Sequence, residues 1–290
     1  MNILAVDIGG TSIKMALVDK DGNTSHFQEV PTESEKGGPF IVEKVRQLMV
    51  PYKGYEAIGI STAGQVDVDS GTVVFANPNI PNYSGTELKK IFEAYFDVPV
   101  KVENDVNAAA IGENKWGAGK EFSDFLCLTY GTGVGGAIIM KDAIYRGHRG
   151  LAAEFGHMLC QTVDESPVYY EQLASTRALI KQAQKVNPTI ENGRQLFAAL
   201  ATDATSLQPV VDKWLNYVSF GLISLVHSFN PSAIILGGGI MEQKQLIHQI
   251  TIQVKKGIMP SFSDVVIKKA ALGNQAGLLG AAALHMQDSL

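Results

Sequence analysis

The chain opens on an apolar run, ILAVDI, that ends in Gly9-Gly10-Thr11 and is followed by a second run, IKMALVD, and a KDG turn. Two short aliphatic runs separated by glycines predict a β-hairpin. Apolar positions at helical spacing predict a helix near Pro39–Val50, with a strand at Ala57–Ser61 after it. A further helix, opened by Ser84-Gly85-Thr86, is expected to run to about Phe96. The strand Val98–Val102 then leads into Asn104-Asp105 and an alanine-rich helix. Strands alternating with helices predict an α/β fold with a mostly parallel sheet covered by helices.

The opening pattern recurs. FLCLTYGTGVGGAIIMKDAIY is again strand, glycine turn, strand and a Lys-Asp turn, and an offset of 122 residues places Gly9 on Gly131 and Leu17 on Ile139. We read two related α/β lobes, each beginning with a glycine-turned hairpin. The second continues with an amphipathic helix near Tyr170–Lys185 and a longer one around Pro209–Phe229. The strand Ala233–Leu236, the triple glycine Gly237–Gly239 and a closing turn and helix, GNQAGLLGAAALHM, complete it. The lobe boundary is expected near residues 105–118.

Composition narrows the function classes. The 290 residues are 46% hydrophobic and 18% charged, as in a folded globular protein, and the net charge of −5 gives no general basic surface for nucleic acid. Two cysteines, Cys127 and Cys160, cannot build a disulfide framework, and a reducing compartment fits them. The opening MNILAVDIGG lacks the pattern of a signal peptide, and no run of 18 apolar residues occurs. A cytoplasmic protein that does not meet the membrane is expected.

Three glycine clusters follow apolar strands: Gly9-Gly10-Thr11, Gly131–Gly136 and Gly237–Gly239. Glycine lets backbone N–H groups approach an anion closely, so such turns suit phosphate. GTGVGG satisfies G-x-G-x-x-G, yet a strand follows where a dinucleotide site needs a helix, and no G-x-x-x-x-G-K-[ST] segment exists. Asp7 stands where it would hold Mg²⁺, directly or through water, while Lys14 either meets a phosphate or is a solvated surface charge.

Asn104-Asp105 is either a helix cap or a site at the carboxyl end of a strand. Phosphoryl transfer to an alcohol needs a carboxylate that accepts the hydroxyl proton, which Asp105 would supply, with Asn104 orienting a hydroxyl. Glu154 and His157 in RGHRGLAAEFGH, and Glu171 in YYEQLAS, are side chains of the kind that hold polyols, or else ordinary surface groups. The spacing is not that of a zinc protease.

Together these segments resemble the ROK family of sugar kinases and repressors, in the actin/hexokinase superfamily. DIGGTSIK resembles its first phosphate motif, STAGQVD around Gly64 its SxPGxVD segment, NPNIPNYSG its sugar loop, and ENDVNAAAIGE its catalytic segment. GTGVGGAI, GLAAEFGH, LGGGI and GNQAGLLGAA match the remaining motifs, so the likeness runs from residue 5 to about 284.

The resemblance implies a two-lobed actin-like ATPase, ribonuclease H-like in fold, with a cleft between lobes of about 1–117 plus 277–290 and 118–276. It implies ATP-dependent phosphorylation of a sugar hydroxyl, O6, with Mg²⁺ as cofactor and a homodimer as the assembly. Asp105 would be the base, and Gly64, Asn79, Asn104, Glu154, His157 and Glu171 would contact sugar. Asp7, Gly9, Gly10, Thr11, Lys14, Thr132, Gly133 and Gly238 would face the nucleotide and its metal.

Many members carry a C-x-C-G-x-x-G-C zinc cluster after the sugar-binding histidine. Here the segment reads HMLCQTVDESPVYYEQ with Cys160 alone, so no structural zinc is expected. Zinc-less branches resemble β-glucoside kinases, which makes cellobiose a candidate beside glucose and N-acetylmannosamine. A sugar-responsive regulator is the alternative of another class. Family regulators have a helix-turn-helix before the first phosphate motif, and here that motif starts at Asp7, which favours the kinase.

Overall fold

A computed structural model describes residues 2–76, 78–161, 166–202 and 204–286. The chain divides into two compact units. The first comprises Met1–Glu121, Asp142–Ala152 and Asn274–Leu290, and the second Phe122–Lys141 and Ala153–Gly273. Segment Asp142–Ala152 thus groups with the first unit and not with the second lobe expected over 118–276.

The first unit begins with β1 (Ile3–Ile8), β2 (Ser12–Val18) and β3 (Thr24–Pro31), followed by α1 (Gly38–Met49). β4 (Ala57–Thr62) precedes a small antiparallel sheet of β5 (Gln65–Asp67), β6 (Thr72–Phe75) and β7 (Thr86–Glu87). α2 (Leu88–Phe96), β8 (Val100–Asn104) and α3 (Asp105–Trp116) complete the run. The main sheet has the order β3-β2-β1-β4-β8, with β1, β4 and β8 parallel and the hairpin strands antiparallel. All six residues of β1 and of β4 are buried, as expected for strands covered on both faces.

The second unit begins with β9 (Phe125–Tyr130) and β10 (Val134–Met140). The chain returns to the first unit for β11 (Ala143–Ile144), then enters the second for β12 (Leu159–Gln161) and β13 (Pro167–Tyr169). There follow α4 (Glu171–Ala174), α5 (Thr176–Val186), α6 (Gly193–Leu200), α7 (Ala204–Phe229), β14 (Ala233–Gly237), α8 (Lys244–Gly257) and β15 (Val266–Lys269). Strands β10, β9, β14 and β15 lie side by side in that order, the first pair antiparallel and the others parallel. This repeats β2-β1-β4-β8, so the duplication extends beyond the hairpins to whole sheets.

The chain ends in α9 (Ala276–Ala283), within the first unit. Every residue of α9 except Gly277 is buried. It lies so close to α3 that a Cβ on Gly280 would overlap the carbonyl oxygen of Ala108. Among the described residues no helix is long and apolar enough to cross a membrane.

Several elements differ from the sequence expectation. The two hairpins are out of step by one residue. Ile8 pairs with Ile13 across four turn residues, whereas Tyr130 pairs with Val134 across three. The shorter turn moves the partner of Leu17 from Ile139 to Ile138, since Leu17 faces Leu4 and Ile138 faces Leu126. α2 starts at Leu88, because Thr86–Glu87 pair with β6 instead of opening the helix. The strand expected over Val98–Val102 is shifted to Val100–Asn104. The helix expected over Tyr170–Lys185 breaks at Ser175, which is extended and caps α5 by accepting the Ala178 N–H at 3.1 Å. α7 begins at Ala204 and carries Pro209 inside it.

Candidate active site

In the first unit the predicted residues gather at the carboxyl ends of the parallel strands. Register aligns Asp7 with Ser61 and Ser61 with Glu103 across β1, β4 and β8. Asp7 is 8% exposed. Its Oδ1 accepts the Ser61 hydroxyl at 2.8 Å, and its Oδ2 pairs with Lys14 Nζ at 3.3 Å across the hairpin. Lys14 is therefore paired with Asp7 and is not a free surface charge. A Cβ on Gly277, in the first turn of α9, would stand 2.9 Å from Asp7 Oδ1, which puts the carboxylate at the positive end of that helix.

The turn Gly9-Gly10-Thr11 is held from below by Thr32, a fully buried residue that the sequence reading overlooked. The Thr32 hydroxyl donates to the Gly9 carbonyl at 2.6 Å and its N–H to the Thr11 carbonyl at 2.9 Å. Gly10 and Thr11 remain exposed. These two bonds pin the backbone of the turn from one side.

Asn104 ends β8 and caps α3, its side-chain oxygen accepting from the N–H groups of Val106 at 2.9 Å and Asn107 at 3.1 Å. Its amide donates to Asp105 Oδ1 and to the Gly64 carbonyl, both at 2.9 Å. Gly64, Asn104 and Asp105 are thus brought together. Asp105 is half-buried, and burial, followed by the nearby charge of Asp7, pushes its carboxyl up to about 6. Asn79 sits in an exposed turn after β6. The neighbouring Asn77 of the proposed sugar loop, and residues 162–165 after Cys160, lie outside the described residues.

In the second unit, Glu171 opens α4 and directs Oε2 at the second glycine turn, where it accepts the Val134 N–H at 3.3 Å. A Cβ on Gly156 would stand 3.2 Å from the same oxygen, and one on Gly133 would overlap it. The turn containing Thr132 and Gly133, the Glu154–His157 segment and Glu171 therefore converge. His157 Nδ1 lies 3.4 Å from Glu154 Oε2, with both side chains about half exposed, and the imidazole packs edge-on to Tyr169 at 5.1 Å. α7 fixes the α4–α5 junction through Trp214, whose Nε1–H donates to the carbonyls of Ala174 at 2.8 Å and Ser175 at 3.2 Å.

Gly64 and Gly238 follow equivalent strands, β4 and β14, with φ of +101° and +98°. A Cβ on Gly64 would stand 2.6 Å from the Phe75 carbonyl oxygen, and one on Gly238 would overlap that of Tyr130. Only glycine meets both the backbone conformation and the close approach.

A duplicated hairpin-led sheet with glycine turns at strand ends and a raised carboxyl beside one of them narrows the field of relatives. The sequence matches the ROK family over residues 3–288. The chain belongs to the ROK family. This ROK protein is 38% identical to a glucokinase from Streptomyces coelicolor, the alignment covering 97% of this chain and 96% of the relative. It is 32% identical to a β-glucoside kinase from Listeria monocytogenes, covering 99% and 98%. Its fold is similar to that of a ROK family glucokinase from Streptomyces griseus, solved with glucose and AMPPNP, with a TM-score of 0.84 and 32% identity over 98% of this chain and 99% of that one.

Proposed function

We propose that this ROK protein transfers the γ-phosphoryl group of ATP to a hydroxyl, O6, of a hexose or a β-glucoside such as cellobiose. The observation that carries the reading is Asp105, a carboxylate at a strand end whose proton affinity is raised toward neutrality by burial and by Asp7. An ionised carboxylate with a pKa of about 6 accepts a hydroxyl proton more readily than an ordinary surface aspartate.

Asp105 takes the hydroxyl proton as the oxygen attacks phosphorus in line. Asn104 holds both the base and the Gly64 carbonyl in fixed orientation, so no reorganisation is needed at that moment. Gly64, Asn79, Asn104, Glu154, His157 and Glu171 are proposed as sugar contacts. The turns at Gly9-Gly10-Thr11 and Thr132-Gly133, with Gly238, are proposed for the nucleotide.

Mg²⁺ fits the first unit, because Asp7 and Asp105 are two carboxylates close enough for the charge of Asp7 to help raise the Asp105 carboxyl, and hard oxygen ligands suit this cation. Asp7 would hold it through water and Lys14 would offset the remaining charge; the ion supplies positive charge against the polyphosphate. We further propose a homodimer, and no structural zinc, which elemental analysis of purified protein tests.

ADP release with ATP and Mg²⁺ across glucose, N-acetylmannosamine, fructose, mannose and cellobiose, with Asp105→Asn as control, tests the reading. Turnover on glucose or cellobiose that is lost in the variant supports it. Sugar binding with no turnover on any of the five would reject it in favour of a sensor.

A further inference from the structure

The strongest unassigned feature is an ion pair beside the proposed base, between a buried carboxylate and a partly exposed guanidinium. Glu103 is 1% exposed and its carboxylate receives four donors. Oε1 accepts the Asn104 N–H at 2.9 Å and the Asn107 amide at 3.1 Å. Oε2 accepts both Nε of Arg146, at 3.0 Å, and Nη2, at 2.6 Å. A two-pronged guanidinium contact on a buried carboxylate fixes orientation as well as charge.

Each end of the pair leads to a different segment of the first unit. Glu103 immediately precedes Asn104 and Asp105, and it holds the backbone of Asn104. Arg146 opens a loop that its own carbonyl closes by accepting the Ala152 N–H at 3.1 Å. One residue later Ala153 adopts φ of +68°, a conformation alanine rarely takes, directly before Glu154. A strained residue persists only where its surroundings hold the chain on both sides, and such residues cluster at functional sites. The loop Arg146–Ala152 is thus anchored on the pair through the Arg146 guanidinium and closed on itself by the Ala152 N–H.

We propose that Glu103–Arg146 is a positioning pair that orients the proposed base segment, Asn104-Asp105, and ties it to the loop Arg146–Ala152 of the same unit. The inference rests on the sugar-kinase reading and deepens it. A merely structural pair would affect stability and function together. A positioning pair separates them, because replacing both partners by neutral groups removes the buried-charge problem but not the loss of the tether.

The experiment compares wild type, Arg146→Met and the double variant Glu103→Gln/Arg146→Met by thermal unfolding, glucose and cellobiose calorimetry, and steady-state kinetics. Glutamine retains an acceptor for Asn104 and Asn107. Arg146→Met alone should lower the unfolding temperature, and the double variant should recover most of it. Despite that recovery, the double variant should keep sugar affinity at least five-fold weaker and kcat at least ten-fold lower, with the KM for ATP within two-fold of wild type.

Recovery of affinity and turnover along with stability would overturn the proposal, as would an equal rise in both KM values. Wild-type protein that binds sugar without turnover would reject the kinase reading alone, and the affinity comparison would still decide the role of the pair. Wild-type protein that binds no sugar would overturn both.

Discussion

At the scale of single residues, ionisation of Asp105 dominates. Its carboxyl lies at about 6 in the folded chain against 3.8 in an unperturbed one, so folding favours the protonated form. The stability this contributes is complete below the unfolded value and is lost as pH rises through about 6. At pH 8 the ionised group therefore costs the fold something, about 1–2 kcal/mol after discounting for its partial exposure. Asp105→Asn should raise the apparent Tm at pH 8, with the gain vanishing below pH 4, as thermal scans at the two pH values would reveal. The same variant should lose about 10²–10⁴ in kcat if the carboxylate is the base. In the wild type, kcat/KM should fall on the acid side with an apparent pKa near 6, measured as a pH–rate profile. A less stable Asn variant at pH 8 would show that the carboxylate is not strained by its site.

Among elements, the crossing of α3 and α9 depends on small side chains. Gly280 lies against Ala108, and a Cβ on Gly112 would stand 2.7 Å from the Ala276 carbonyl oxygen. Gly280→Val should therefore force the helices apart and destabilise the protein by at least about 2 kcal/mol, read as a lower midpoint in urea. Because α9 also brings Gly277 to Asp7, that separation should reach the proposed metal-binding carboxylate. Ser175 acts on a smaller scale. Removing its cap in Ser175→Ala should cost about 1 kcal/mol in the same measurement, since the hydroxyl oxygen serves one N–H of α5.

For the whole molecule, the first unit is not a contiguous stretch of chain. It draws on residues 1–121, on 142–152 and on the C-terminal helix. Deleting 274–290 would uncover β1, β4 and α3, whose apolar faces α9 shields. A fragment lacking these residues should expose apolar surface and aggregate, or bind a hydrophobic dye, where the full chain does neither. A bound sugar acts on the same scale. Ligand at about 100 times its Kd should stabilise the protein by about 2.7 kcal/mol, seen as a concentration-dependent Tm.

Some of this was legible from residues alone, and the reason is locality. A glycine turn after an aliphatic run, or Asn104 before an alanine-rich helix, depends on neighbours within a few positions, so hairpins, α3 and its cap could be read directly. The family resemblance rested on the same local segments. β3 escaped notice because its residues are mostly exposed and polar, and it exists only by pairing with β2. The roles of Thr32, Ser61 and Arg146 were equally hidden, since each acts on a residue distant in sequence. Sequence therefore determined which segments turn, cap and present carboxylates, because short-range sterics and hydrogen bonds decide those features. Only the tertiary structure decided that Asp7, Ser61 and Glu103 share one register and that Asp105 is raised by burial and then by Asp7. Strand pairing and burial bring those groups together, and neither is a property of any single stretch of chain.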